Sequence, residues 1–147
     1  MNLVNELRTK STNIENAKAE IIAEIKASFD KFLDSEKFEK HLERYISDDD
    51  IEQRKTFMSV KFWEYHDGCS TTHFNCGGVR WYNPENKDGY DSHQYKGIEL
   101  CSINKEVGEY LTTKLENRMC ELGFALLSKE DQKSRFGYYN THFYFGW

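Results

Sequence analysis

The sequence predicts an α+β domain with N-terminal helices, a mainly antiparallel β-meander, one crossing helix and a C-terminal β-hairpin. Three observations carry this. Apolar residues recur at helical spacing over residues 3 to 33, side chains alternate with period two from Thr56 to Tyr65, and a second helical stripe over 105–122 ends at Gly123 before two further strand-like runs. A chain of 147 residues is the size of one ordinary domain. The expected division is a single unit, 1–147, with a helical part over 1–46 and a sheet part over 55–147.

In the first segment, Leu3, Leu7, Ile14, Ile21, Ile25, Phe29 and Phe32 mark the helical face. Thr12 followed by Glu15 has the form of a capping box, so a break or a loose turn is expected near Lys10. Leu7, Ile14 and Ile21, with Val4, Lys18, Ile25 and Phe32, approximate a heptad seam. Such a seam packs either on the chain's own sheet or on a second copy, which makes a homo-oligomer through the N-terminal helix one expected partner state. A second helix is expected over 36–46, with Asp34 or Ser35 as its cap and Phe38, Leu42, Tyr45 and Ile46 as its buried stripe. The acids Asp48, Asp49 and Asp50 follow. They lack the alternating ligands, central Gly and terminal Glu of a calcium loop, and read as a solvated linker or a helix cap.

From Thr56 to Tyr65, Met58, Val60 and Phe62 fall on one face and Phe57, Trp63 and Tyr65 on the other, the pattern of a central strand covered on both sides. Asp67-Gly68 supplies a hairpin turn, because Gly tolerates a positive φ. The return run Ser70 to Tyr82 is interrupted at Gly77-Gly78, and a short strand is expected around Gly97 to Cys101. Val107, Leu111, Leu115, Met119 and Leu122 make the stripe of the crossing helix. Phe124 to Ser128 and Arg135 to Trp147 then form the last hairpin, all strands joining one sheet.

Composition excludes several function classes. A net charge of -5 without a basic block argues against a sequence-independent grip on nucleic-acid backbone. No apolar run approaches the ~20 residues that span a bilayer, and residues 1–10 lack a signal-peptide core, so a cytoplasmic protein with no membrane partner is expected. Its four cysteines are then expected to be reduced thiols.

Among candidate chemistry, His66, Cys69, His73 and Cys76 have the ligand types and the count for zinc. Strand parity opposes it, since His73 and Cys76 fall on opposite faces of a regular strand, and no cofactor is expected. Thr72-His73-Phe74 and Thr141-His142-Phe143 repeat a tripeptide in two predicted strands. Paired strand histidines resemble those of the two-histidine phosphoesterases, which implies His73 and His142 as acid and base on a phosphodiester. The family's Ser/Thr position is Asn75 in one copy and Tyr144 in the other, so the enzyme is an alternative and no catalytic residue is assigned. The favoured reading is a non-enzymatic binding site built from Trp63, Tyr65, His73, Asn75, Arg80, Trp81, Arg135, Tyr139 and His142. Aromatic planes stack on bases, guanidinium groups pair with phosphate and amides read base edges, which suits a small nucleotide-like ligand.

The layout of a charged helical N-terminus, a short sheet, a helix ending in Leu122-Gly123-Phe124 and a final strand resembles that of small phage-encoded accessory and anti-defence proteins. The resemblance implies a protein acting in a host cytoplasm that inhibits a host defence factor, by sequestering a nucleotide-derived signal molecule. Another route is to bind a host protein through its acidic helices.

Overall fold

A computed structural model describes residues 2–66, 69–74, 79–86, 92–132 and 139–147; for 63–66, 69–71, 73 and 74 it describes the backbone alone. The element order is α1 (Leu3–Leu33), α2 (Glu36–Tyr45), α3 (Asp48–Gln53), β1 (Lys55–His66), β2 (Cys69–Phe74), β3 (Arg80–Tyr82), β4 (Gln94–Tyr95), β5 (Ile98–Glu99), a 3-10 turn over Leu100–Ser102, α4 (Asn104–Glu121), β6 (Ala125–Asp131) and β7 (Tyr139–Gly146). The fold is α+β, with β3-β2-β1-β7-β6 as an antiparallel sheet. β1 is its centre, as the alternation in that segment predicts.

Helix α1 is continuous, and the break expected near Lys10 does not occur. The hydroxyls of Thr9 and Ser11 bond back to the carbonyls of Asn5 and Leu7, four residues earlier in each case. Polar side chains that would otherwise compete with the helix thus fold onto it. The helix start is capped by Asn2, whose Oδ1 accepts from the Val4 amide at 3.0 Å. The run of acids proves to be the first turn of α3: Ser47 and Asp50 form a reciprocal capping box, and carboxylates there oppose the positive end of the helix.

The core lies between the sheet and the helices. Met58, Val60 and Phe62 of β1 and Thr141, Phe143 and Phe145 of β7 are buried beneath α4, which supplies Val107, Leu111, Leu115 and Met119. Through Ile21, Ile22, Ile25, Phe29 and Leu33, α1 joins the same core. Polar ties lock the helices together. The Tyr110 hydroxyl donates to Asp30 at 2.8 Å, the Lys114 ammonium pairs with Asp34 at 3.0 Å, and the Arg118 Nε donates to the Leu33 carbonyl at 2.8 Å.

Two expectations about the sheet are corrected. The run from Ser70 to Tyr82 is not one interrupted strand but two, β2 and β3, paired to each other through Thr72 and Trp81. The segment around Gly97 does not join the main sheet. β4 and β5 form a separate two-stranded ribbon, closed by Lys96 and Gly97, both at positive φ, before the chain turns into the 3-10 segment. A two-residue turn with positive φ at both positions matches the right-handed twist of the strands it joins.

Candidate functional site

Strand parity divides the sheet into a face that packs on α4 and a face turned away from it. The away face carries Phe57, Ser59 and Lys61 of β1, Asn140, His142 and Tyr144 of β7, Arg80 and Tyr82 of β3, and Ser128 and Glu130 of β6. Register sets the arrangement. Ser59 stands opposite His142 and Lys61 opposite Asn140, so a hydroxyl, an imidazole, an ammonium and a carboxamide occupy adjacent corners of one block. Neighbouring Cα atoms in such a block are about 5 Å apart across the strands and about 7 Å along them.

Above the block, Phe57 faces Tyr144 with ring centroids at 5.4 Å and meets the His142 ring edge-on at 5.2 Å. Tyr144 is exposed, Phe57 and His142 are half-buried, and the Lys55 ammonium lies over the Tyr144 ring at 5.3 Å. On the other side, backbone register continues the Lys61–Asn140 row through His73 to Arg80, an exposed side chain. Two oxygens in the block, Ser59 Oγ and Asn140 Oδ1, are buried without a hydrogen-bond partner among the described residues. Ser59 is wholly inaccessible. Leaving such oxygens unpaired costs free energy, and Thr72 Oγ1 and Asn86 Nδ2, outside the block, are in the same state.

The nine residues expected to bind a ligand are therefore distributed by parity. Arg80 and His142 lie on the away face. Trp81 and Tyr139, each at the opposite parity from one of these, lie on the α4 face. Trp81 is 5% exposed, donates its indole N–H to Glu24 at 3.4 Å and meets Tyr95 edge-on at 5.7 Å, so it is a core ring with no plane left for a ligand. Tyr139 packs its ring over the Cα of Gly108 and places its hydroxyl 3.3 Å from that of Thr112. Trp63, Tyr65 and His73 have backbone positions in β1 and β2, while Asn75 and Arg135 lie outside the described residues. Ser59 and Lys61 are the residues that sequence reasoning passed over. Alternation in β1 already put Ser59 and Lys61 on the face opposite Met58 and Val60, but only pairing with β7 sets Asn140 and His142 beside them.

Of the zinc candidates, Cys76 lies outside the described residues. His66 pairs with Cys69 at the end of the β1–β2 hairpin, whereas His73 pairs with Lys61 farther along. Four residues of extended strand separate the Cα atoms of Cys69 and His73 by about 13 Å, and the backbone there is strand rather than a knuckle. Among the described residues no cluster of three or more metal-ligating side chains occurs. His73 and His142 stand on β2 and β7 with β1 between them, so their Cα atoms are about 10 Å apart across the sheet and two residues out of step.

A concavity of about 380 Å³ lies away from this face, where α2, α3, the end of α4 and the last residue meet, lined by Glu43, Ile46, Ile51, Leu122, Phe124 and Trp147. It is apolar apart from one carboxylate, and so offers little to orient a ligand. Comparison with protein-family models, with curated proteins and with solved structures finds no match. Among the described residues, no helix is long and apolar enough to cross a membrane.

Proposed function

We propose that this chain is a non-enzymatic binding protein that holds a small, phosphate-bearing, nucleotide-derived ligand on the face of the sheet turned away from α4. The observation that carries the reading is the register that sets Lys61, Asn140 and His142 side by side on that face, in line with the exposed Arg80. Lys61 and Arg80 supply positive charge for phosphate along one cross-strand row, and the half-buried Asn140 and His142 set further polar groups beside them. Tyr144 and Phe57 provide aromatic surface beside it. In its narrower form, taken from the likeness to phage accessory proteins, the ligand is a host defence signal and inhibition is by sequestration.

Calorimetric titration against mono-, di- and cyclic nucleotides tests the proposal. At least one is expected to bind with a dissociation constant in the micromolar range, and Lys61→Ala with Arg80→Ala to weaken that binding by about tenfold or more. Flat titrations throughout the panel would sink the reading. Chromatography of the ligand after prolonged incubation separates binding from turnover. Intact ligand is expected, whereas hydrolysis lost in His142→Ala would establish the phosphodiesterase alternative instead.

A further inference from the structure

The first half of α1 stands apart from the body. From Leu3 to Asn16 nearly every residue is exposed, including Leu3 (66%), Val4 (52%), Leu7 (52%) and Ile14 (48%), whereas Ile21, Ile25 and Phe29 in the second half are wholly buried. The free part is about 21 Å long. A helix of that length is marginal in water by itself, and its apolar stripe lacks cover among the described residues. The stripe lies on the same side as the buried face, because Leu7, Ile14 and Ile21 recur at intervals of seven residues, close to two turns.

That continuity restricts what can lie against it. A parallel partner helix laid along Leu7 and Ile14 would run on into the space that α4 and the sheet occupy from Ile21 onward. An antiparallel partner avoids this, since its own body then lies beyond the start of α1. We infer that the chain self-associates through the first half of α1, as an antiparallel pair of helices from two copies.

Charge selects the register. With Val4, Ser11 and Lys18 at the first core position of each heptad and Leu7, Ile14 and Ile21 at the second, Arg8 and Glu15 flank the seam on one side and Lys10 and Ala17 on the other. An antiparallel pair sets equivalent flanks against each other. One register layers Ser11 on Ile14 and Leu7 on the half-buried stem of Lys18, and brings Val4 level with the point where Ile21 turns into the core. There Arg8 of each copy meets Glu15 of its partner, and Lys10 meets Ala17. Shifting by one heptad toward the start of the helix would instead oppose Arg8 with Arg8 and Lys10 with Lys10, so like charges disfavour it. The covered area is smaller than the roughly 1,600 Å² of a standard interface, which makes this a weak dimer.

Sedimentation of the full chain up to about 100 μM tests the arrangement, a range suited to weak interfaces. The wild type is expected to reach a dimer, while Arg8→Glu and Glu15→Arg each raise the dissociation constant on the order of tenfold or more. An equimolar mixture of the two variants is expected to recover the dimer, because in the mixed pair both flanking contacts again join an acid to a base. Lys10→Glu is expected to leave association within about twofold of wild type. A wild type that stays monomeric, a mixture that does not recover, or a loss caused by Lys10→Glu but not by Arg8→Glu would each overturn the inference. All three positions are exposed and remote from the core, so the folded body serves as its own control by circular dichroism.

Discussion

At the scale of single residues, the helices are held by titratable groups whose ionisation is set by burial and by hydrogen bonds to carboxylates. Tyr110 and Tyr95 both have pKa values raised, first by burial and then by hydrogen bonds to Asp30 and Glu24 respectively. The Lys114 ammonium is raised by its hydrogen bond to Asp34, against an opposing effect of burial, with Asp30 adding to it. In each case the folded pKa lies above the unfolded one. The stability these groups contribute is therefore complete below about pH 10 and is lost as pH rises through the folded values. The urea midpoint is expected to fall as pH rises above about 10, and Tyr110→Phe to flatten that fall. An unchanged slope in the variant would show that Asp30 does not govern the transition. Gly108 tests packing at the same scale. A Cβ there would meet the Tyr139 ring at 2.2 Å, so Gly108→Ala is expected to destabilise by about 1–3 kcal/mol in urea unfolding despite its better helix propensity.

At the scale of elements, helix identity was legible wherever an apolar stripe repeated. α2 and α4 follow their stripes to within a residue or so, and β1 follows its alternation. The failed expectation among the helices was local: Thr12 and Glu15 have the composition of a capping box, yet Thr9 and Ser11 bond backward and the helix passes through. Composition cannot distinguish a hydroxyl that starts a helix from one that lies along it. At the other end of the fold, Gly123 takes φ +97° and a Cβ there would meet nothing, so only backbone conformation opposes a side chain. Gly123→Ala is expected to cost about 1 kcal/mol, read as a lower thermal midpoint, whereas Gly123→Asn is expected to recover part of it. Equal melting of all three proteins would deny the left-handed cap its role.

At the scale of the molecule, the sheet's two faces differ in kind. Phe62 and Phe143 lie in the core under α4, and truncating either to Ala is expected to cost about 3–5 kcal/mol in a single cooperative transition. Lys61→Ala, next to Phe62 but of opposite parity and half-buried, is expected to cost well under either Phe truncation while weakening ligand binding. Similar losses from both would mean that the away face is core and not a binding surface. The same parity explains the mixed fate of the aromatic residues. Adjacent residues Arg80 and Trp81 are sent to opposite faces, and Tyr139 is parted from His142 across three residues of β7, so a list assembled by residue type necessarily mixed core rings with site groups.

The sequence alone determined the α+β class, the central strand and the crossing helix, because these follow from periodicities of 3.6 and 2, while the expected turn at Asp67-Gly68 and the break at Gly77-Gly78 lie outside the described residues. Tertiary structure alone decided that β1 lies between β2 and β7, that β4 and β5 stand apart, and that Ser59 and His142 stand opposite each other. Strand pairing is made by backbone hydrogen bonds between distant segments, which carry no mark of side-chain identity. Which groups meet on a face is therefore a property of register, and register appears only when the sheet is assembled.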